Sequence, residues 1–333
     1  MRTVRPKVLV TRTIPEAGLR LLDAECDVEQ WRSDEVIPRD TLKAMLADKD
    51  ACLTLVTERF DADLFDTAPR LKVVANFAVG YDNLDVPEAT RRGIMLTNTP
   101  DVLTDTTADF AWMLLMAAAR NVLPGTQYIA TGNWTSWKPN VGVGPDIHGA
   151  TIGIIGMGSI GRAVARRASG FGMRILYHGP HRYPDAEASL GTEYRERKQD
   201  LLREADFVSI HTPLTPDTYH LIDADALALM KPTAVLVNTA RGAVVDTDAL
   251  VAALSAHRFF AAGLDVTDPE PLPANHPLML LPNCVVTPHI ASASFGTRDA
   301  TSILAARNIL AALRGERPPS LINPEVFHEG RAQ

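Results

Sequence analysis

Residues Thr151-Ile152-Gly153-Ile154-Ile155-Gly156-Met157-Gly158-Ser159-Ile160-Gly161 decide the fold: an apolar strand runs into a glycine turn, and the turn runs into the helical stretch Arg162–Ala168. The spacing is G-x-G-x-x-G. Gly156 makes the tight turn, Gly158 leaves the backbone bare for a pyrophosphate, and Gly161 lets the helix pack close to the strand. Phosphates then sit on free N–H groups at the helix start. The whole turn, Gly156, Met157, Gly158, Ser159, Ile160 and Gly161, is therefore expected to contact a dinucleotide.

Working outward, the chain has 333 residues, 46% of them hydrophobic, which suffices for two domains with separate cores. No apolar run approaches the ~20 residues of a membrane span. Met1–Arg12 leads straight into a strand-like Lys7–Thr11 without the parts of a signal peptide, so a cytoplasmic location is expected. Cys26, Cys52 and Cys284 are scattered through apolar segments and suit buried free thiols better than a disulfide framework. A net charge of −7 without a Lys/Arg block argues against nucleic acid and anionic membranes as partners.

The first hundred residues alternate strands (Lys7–Thr11, Asp27–Trp31, Ala51–Val56, Val73–Asn76, Ile94–Asn98) with helices (Glu16–Leu22, Arg39–Ala47, Ala62–Thr67). They lack a glycine fingerprint, so this half is expected to bind something other than the nucleotide. Asp101–Arg120 holds a helix that is apolar nearly all round and is expected to be buried between domains or against a second subunit. The loop Gly132–Gly149, with Trp134 and Trp137, is long enough to suggest function. From Thr151 a second alternating series runs to Thr287, followed by a long helix at Thr297–Arg314 and a proline-rich strap. The fold expected is α/β: two doubly wound parallel-sheet, Rossmann-like domains with a cleft between them. Residues 1–100 plus 291–333 form a discontinuous, flavodoxin-like substrate domain, and 101–290 form the dinucleotide domain.

Three strand ends of the second half carry polar residues. Asn238-Thr239-Ala240-Arg241-Gly242 sets Arg241, a planar fork for a carboxylate, just past an apolar strand. Gly263-Leu264-Asp265-Val266-Thr267-Asp268-Pro269-Glu270-Pro271 places Asp265 at the next strand end and Glu270 in a proline-stiffened turn. Thr287-Pro288-His289-Ile290 puts a histidine at the last. Each alone is more often structural, but together Arg241, Glu270 and His289 suit acid/base catalysis on a carbonyl that bears a carboxylate. His211 and His220 read as structural or peripheral, and no His, Cys, Asp or Glu grouping has metal-ligand spacing. A dinucleotide-sensing regulator on the same scaffold remains the alternative from another class.

The fingerprint together with N-T-A-R-G, D-P-E-P and T-P-H-I resembles the D-isomer-specific 2-hydroxyacid dehydrogenases over nearly the whole chain. Val79–Val86 (V-G-Y-D-N-L-D-V), Trp134–Pro139 (W-T-S-W-K-P) and Ala262–Leu278 are similar to the glyoxylate/hydroxypyruvate reductases within that family. The resemblance implies Arg241 as the substrate-orienting cation, His289 as the acid/base and Glu270 as its partner. It implies that backbone at Val79 and Gly80 receives the substrate carboxylate, that Asp265 meets the nicotinamide carboxamide, and that Thr107 contacts cofactor. Thr239 and Ala240 complete the expected cofactor contacts, and Ser292 the substrate contacts. Trp137 is implied to reach a neighbouring subunit's active site in a homodimer. The implied reaction is NAD(P)H-dependent reduction of a small 2-oxo acid, glyoxylate or hydroxypyruvate, to the D-2-hydroxy acid. D-lactate, phosphoglycerate, formate and phosphite dehydrogenases remain rivals.

The cofactor's 2′ group is read from the second strand of this half. NAD-preferring sites place Asp or Glu about 20 residues beyond the fingerprint. Here the strand runs into His178-Gly179-Pro180-His181-Arg182, with no acid before Asp185. His181 or Arg182 can donate to a phosphate. NADPH is expected to be preferred, with NADH possible.

Overall fold

The computed structural model describes residues 5–327; the outermost residues of the expected first domain, 1–4 and 328–333, lie outside the described residues. The chain separates into two compact units, residues 1–103 with 293–333 and residues 104–292.

In the first unit, β1 (Lys7–Val10), α1 (Glu16–Glu25), β2 (Asp27–Gln30), α2 (Arg39–Leu46), β3 (Ala51–Thr54), α3 (Ala62–Asp66), β4 (Val73–Asn76), α4 (Val86–Arg91) and β5 (Met95–Thr97) follow in order. The strands form a parallel sheet ordered β2-β1-β3-β4-β5. β3 and β4 are buried at every residue, because helices cover both faces and both sets of alternating side chains must be apolar. Val8 and Val10 join a core with Leu22 of α1, whereas Leu9 between them faces Leu42, Leu64 and Val74 on the other side.

The second unit opens with α5 (Thr104–Ala119) and α6 (Val122–Ala130). It continues through β6 (Thr151–Ile155), α7 (Ser159–Gly170), β7 (Arg174–His178), α8 (Pro184–Leu190), β8 (Glu193–Tyr194), α9 (Lys198–Glu204), β9 (Phe207–Ile210), α10 (Ala224–Leu229) and β10 (Val235–Asn238). The series ends with α11 (Thr247–Ser255), β11 (Ala261–Leu264), α12 (Pro277–Leu280) and β12 (Cys284–Val286). The sheet is again parallel, ordered β12-β11-β10-β9-β6-β7-β8, so the order reverses between β6 and β9. That is the switch point where doubly wound sheets receive ligands.

The chain then returns to the first unit. α13 (Phe295–Leu313) lies on α1 so closely that a Cβ at Gly18 would stand 2.4 Å from the Ser302 carbonyl oxygen. Beyond it the proline-rich segment pairs Leu321 antiparallel with Thr97, and the buried Asn323 accepts the Leu96 N–H at 2.8 Å.

One expectation needs correction. The buried face of α5, including Ala111, Trp112, Leu114, Leu115 and Ala118, packs on α7, β10 and β11 of its own unit, so burial at a domain or subunit boundary is not needed to cover it. Gly263 makes this approach possible, since a Cβ there would touch Leu114 at 3.0 Å. Of the large apolar side chains of α5 only Met113 and Met116 are exposed. α4, α6, α8 and β8 are elements that hydrophobic periodicity alone did not reveal. Among the described residues no helix is long and apolar enough to cross a membrane.

Candidate active site

Each glycine of the fingerprint has its own local reason. Gly156 has φ +96°, a region that disfavours side chains, and a Cβ on it would lie 2.6 Å from the His211 carbonyl oxygen where β9 ends. A Cβ on Gly161 would lie 2.1 Å from the Gly156 carbonyl oxygen, so the first turn of α7 sits directly on the glycine turn. Around Gly158 a Cβ would meet nothing within 4 Å, which leaves open backbone at the N-terminus of a helix that no side chain caps. Met157 is buried beneath. A bare backbone at a helix N-terminus, beside the switch point, fits a dinucleotide's pyrophosphate. Thr239, beyond β10, adds a buried hydroxyl with no hydrogen-bond partner among the described residues.

The loop after β7 is occupied differently from its sequence reading. His178 Nδ1 lies 2.9 Å from the Arg195 carbonyl oxygen. Arg182 makes a bidentate pair with Glu187 at 2.7 and 2.8 Å, and Tyr177 donates to the same carboxylate at 2.8 Å. Those hydrogen bonds, from Arg182 first and then Tyr177, hold Glu187 below the usual carboxylate range. Asp185 pairs with Arg162, whose guanidinium lies over the Tyr183 ring at 4.8 Å. Both acids of α8 are thus matched by arginines.

Arg241, Glu270 and His289 follow β10, β11 and β12, neighbours in the sheet. His289 Nδ1 lies 2.6 Å from Glu270 Oε1. Burial pushes the Glu270 carboxyl up, but the hydrogen bond and charge of His289, helped by the Thr267 N–H and Arg241, hold it below its ordinary value. Arg241 donates to the Ala240 carbonyl at 2.9 Å, and Asn238 braces the turn by donating to the Arg241 carbonyl at 2.9 Å. Gly242 presses this turn against the next one: a Cβ there would fall 2.0 Å from the Thr267 carbonyl. No side chain fits between the arginine loop and the glutamate loop.

Asp265 lies at the base of this arrangement, 1% exposed. Its Oδ1 accepts from Thr287 Oγ1 at 2.7 Å and Ile290 N at 2.9 Å, and its Oδ2 accepts from Ala291 N at 2.7 Å. Its backbone carbonyl accepts the His289 N–H at 2.8 Å. Residues 287–291 therefore wrap around one carboxylate. The wrapping holds His289 at φ 55°, a left-handed conformation that is uncommon for a side-chain-bearing residue. Burial raises the Asp265 pKa, and the hydrogen bonds offset this only in part. The sequence reading gave Asp265 to the nicotinamide carboxamide and missed this support, because it depends on contacts 22 to 26 residues away.

Ser292 is half-buried just beyond that loop, and Thr107 is buried on α5. His211, at the end of β9, has Nε2 2.8 Å from Ser209 Oγ, and burial pushes its imidazole down to about 4, so it is neutral near pH 7.

In the first unit, Val79 and Gly80 follow β4. The carbonyls of Ala78, Val79 and Gly80 accept, in turn, from Thr99 N, Asn98 Nδ2 and Asn76 Nδ2, each at 2.8 Å. In a planar trans peptide the next residue's N–H points opposite to the carbonyl. Three carbonyls drawn inward therefore turn the N–H groups of Val79, Gly80 and Tyr81 outward, and these have no partner among the described residues. Such an array has the donors that an anion would need.

The segment 122–143 leaves α5 and returns to it. Asn121 begins it in a left-handed conformation and donates to the Val143 carbonyl at 3.0 Å, and a Cβ on Gly144 would collide with the Ala119 carbonyl. Trp134 and Trp137 stand 62% and 82% exposed, so neither fills a gap in this chain. Among the described residues no group of three or more His, Cys, Asp or Glu could hold a metal ion.

The family model for the D-isomer specific 2-hydroxyacid dehydrogenase NAD binding domain matches residues 112–291. The glyoxylate reductase of Thermococcus kodakarensis is 52% identical over 327 residues, covering 97% of this chain and 98% of that protein. A Thermus thermophilus protein of known structure superposes with TM-score 0.89 at 47% identity, over 95% of this chain and 99% of that one. The NADPH-dependent glyoxylate/hydroxypyruvate reductase of Sinorhizobium meliloti, solved with NADP and malonate, gives TM-score 0.83 at 33% identity, over 97% of this chain and 98% of that one. With the glycine turn at the switch point and the His–Glu pair at consecutive strand ends, these likenesses leave one conclusion: the chain belongs to the D-isomer specific 2-hydroxyacid dehydrogenase family.

Proposed function

We propose that this enzyme reduces a small 2-oxo acid, glyoxylate or hydroxypyruvate, to the D-2-hydroxy acid, and prefers NADPH over NADH. The observation that carries the reading is the 2.6 Å contact of His289 Nδ1 with Glu270, beside a turn that bears Arg241. The turn 156–161 and Thr239–Ala240 would hold the dinucleotide, whose reduced nicotinamide supplies hydride to the carbonyl carbon. His289 has its Nδ1 hydrogen on Glu270, so its Nε2 proton is the one free to quench the charge that builds on the carbonyl oxygen. Arg241 orients carboxylate and carbonyl oxygen as a planar fork, and the N–H groups of Val79 and Gly80 receive the carboxylate. The first unit acts as the substrate domain and the second as the dinucleotide domain. Steady-state kinetics with a panel of 2-oxo acids and both cofactors test this. Glyoxylate and hydroxypyruvate turnover supports it; cofactor binding without turnover of any 2-oxo acid would favour a dinucleotide sensor.

The preference for NADPH rests on the loop after β7. With Asp185 and Glu187 each paired to an arginine, both carboxylates of α8 are neutralised toward a 2′-phosphate, Glu187 by Arg182 itself, and the loop offers His181 as a donor. Arg182→Ala is expected to narrow the ratio of kcat/KM for NADPH to that for NADH. A wild-type enzyme that favours NADH contradicts this reading of the loop while leaving the catalytic residues in place.

A homodimer is proposed from the surface. Nine of the sixteen exposed large apolar side chains among the described residues fall between Met113 and Val143, so one continuous segment carries most of the surface that water disfavours. A second copy of the chain is the occupant, and sedimentation equilibrium is expected to return twice the chain mass. Trp137 is expected to reach the partner's substrate. Trp137→Ala then changes the ranking of glyoxylate against hydroxypyruvate with the melting temperature unchanged; a lower melting temperature with the ranking preserved would make it packing alone. Three buried, unpaired cysteines suit a cytoplasmic location.

A further inference from the structure

Asn76 ends β4 fully buried, in a strand whose other three residues are Val73, Val74 and Ala75. A buried amide must find partners for its donors and its acceptor. Its Nδ2 donates to the Gly80 carbonyl at 2.8 Å and to Asn83 Oδ1 at 3.1 Å. Asn83 passes the connection on, donating from Nδ2 to the carbonyls of Leu55 at 3.1 Å and Glu58 at 3.0 Å.

Glu58 is the anchor. Its Oε2 accepts from Thr11 Oγ1 at 2.9 Å, Thr54 Oγ1 at 3.1 Å and Leu55 N at 2.9 Å. Its Oε1 accepts from Thr57 Oγ1 at 2.7 Å and from Arg12 at 2.9 Å, and the Arg12 and Glu58 side chains are only 12% and 1% exposed. A buried ion pair is a poor source of stability, because desolvation of both charges offsets their attraction. Here it fastens the carboxyl ends of β1 and β3 together, and the asparagines extend that frame to the loop after β4. The last link is the Gly80 carbonyl, whose direction fixes that of the Tyr81 N–H.

We infer that Asn76, Asn83 and Glu58 are positioning residues that hold the Tyr81 N–H as a third donor beside those of Val79 and Gly80, in a rigid receptor for the substrate carboxylate. The inference rests on the 2-oxo acid reading above. None of the three side chains touches substrate; they act by forbidding the loop to rotate its peptides. A receptor of this kind binds substrate and transition state alike, so its loss raises KM and leaves kcat nearly unchanged.

Asn76→Asp keeps the shape and replaces the donor facing Gly80 by an acceptor. It is expected to raise KM for glyoxylate by about ten- to a hundredfold, the range for losing a hydrogen bond to a charged group, with kcat and the NADPH dissociation constant nearly unchanged. The dissociation constant of oxamate, a non-reducible analogue, from the NADPH complex is expected to rise by the same factor. If the aspartate variant does not fold, Asn76→Ala, which buries no charge, carries the same expectation. Retained KM and oxamate affinity with a lowered melting temperature would overturn the inference and leave Asn76 a packing residue. Amide hydrogen exchange in the wild type separates the two readings. Oxamate is expected to slow exchange at Val79, Gly80 and Tyr81; no slowing there would remove the carboxylate reading itself, whereas slowing with unaltered variant KM removes only the positioning role.

Discussion

His289→Ala is expected to lower glyoxylate reduction by about 10²–10⁴-fold, the usual effect of losing a positioned acid/base, while the dissociation constant of NADPH stays nearly unchanged. Arg241→Ala is expected to cost about 10²–10³-fold, as for other groups that stabilise developing charge. Wild-type turnover in either variant would remove that residue from the mechanism. The pH dependence has a definite sign. Reduction draws a proton from imidazolium and falls as pH rises, whereas oxidation of the hydroxy acid needs neutral imidazole and rises. Glu270 is held below its ordinary value in the pair, so it remains an anion through the neutral range. Glu270→Gln removes that anion, and the kcat/KM–pH profiles of both directions are expected to change. Unmoved kcat/KM profiles would show that the 2.6 Å contact does not govern the proton.

What the sequence made legible is what depends on neighbours in the chain. The strand–glycine–helix order at 151–170 is local, and the structure shows why Gly156 and Gly161 are required. Strands such as Val73–Asn76 are readable because two-sided burial demands unbroken apolar runs. α6 escaped because Val122-Leu123-Pro124-Gly125 looks like a turn, yet a proline in the first turn of a helix removes no hydrogen bond that the helix needs. Arg241, Glu270 and His289 were visible as polar residues at apolar strand ends. Glu58, Asn76 and Asn83 were not, since nothing in T-E-R-F or V-A-N-F reveals that these side chains link into one frame that ends on the Gly80 carbonyl. The pairing of Arg182 with Glu187 was missed for a related reason: the sequence shows a basic loop, and the acid that matches it lies one turn into the following helix.

Asp265→Ala is expected to be the most damaging single change to the architecture of the active site. It leaves the buried N–H of Ala291 and the part-buried N–H of Ile290 without their acceptor, and the Thr287 hydroxyl with only the Leu264 carbonyl at 3.3 Å. An unsatisfied buried donor costs about 1–3 kcal/mol, so the loss of three hydrogen bonds is expected to lower stability by about 3 kcal/mol or more. At about 2–4 °C per kcal/mol for a unit of this size, the melting temperature is expected to fall by roughly 6–12 °C. Activity is expected to fall further than stability alone accounts for, because His289 keeps its φ of 55° only while the loop is wrapped on this carboxylate. Asp265→Asn separates the two effects: it keeps one oxygen acceptor, so most of the stability returns, but its amide N–H₂ faces the backbone N–H of Ala291 or Ile290 and pushes the loop outward. The expected result is a near-native melting temperature with kcat reduced. If Asp265→Asn instead retains full kcat, His289 does not depend on the wrapped loop for its placement, and Asp265 contributes to folding alone.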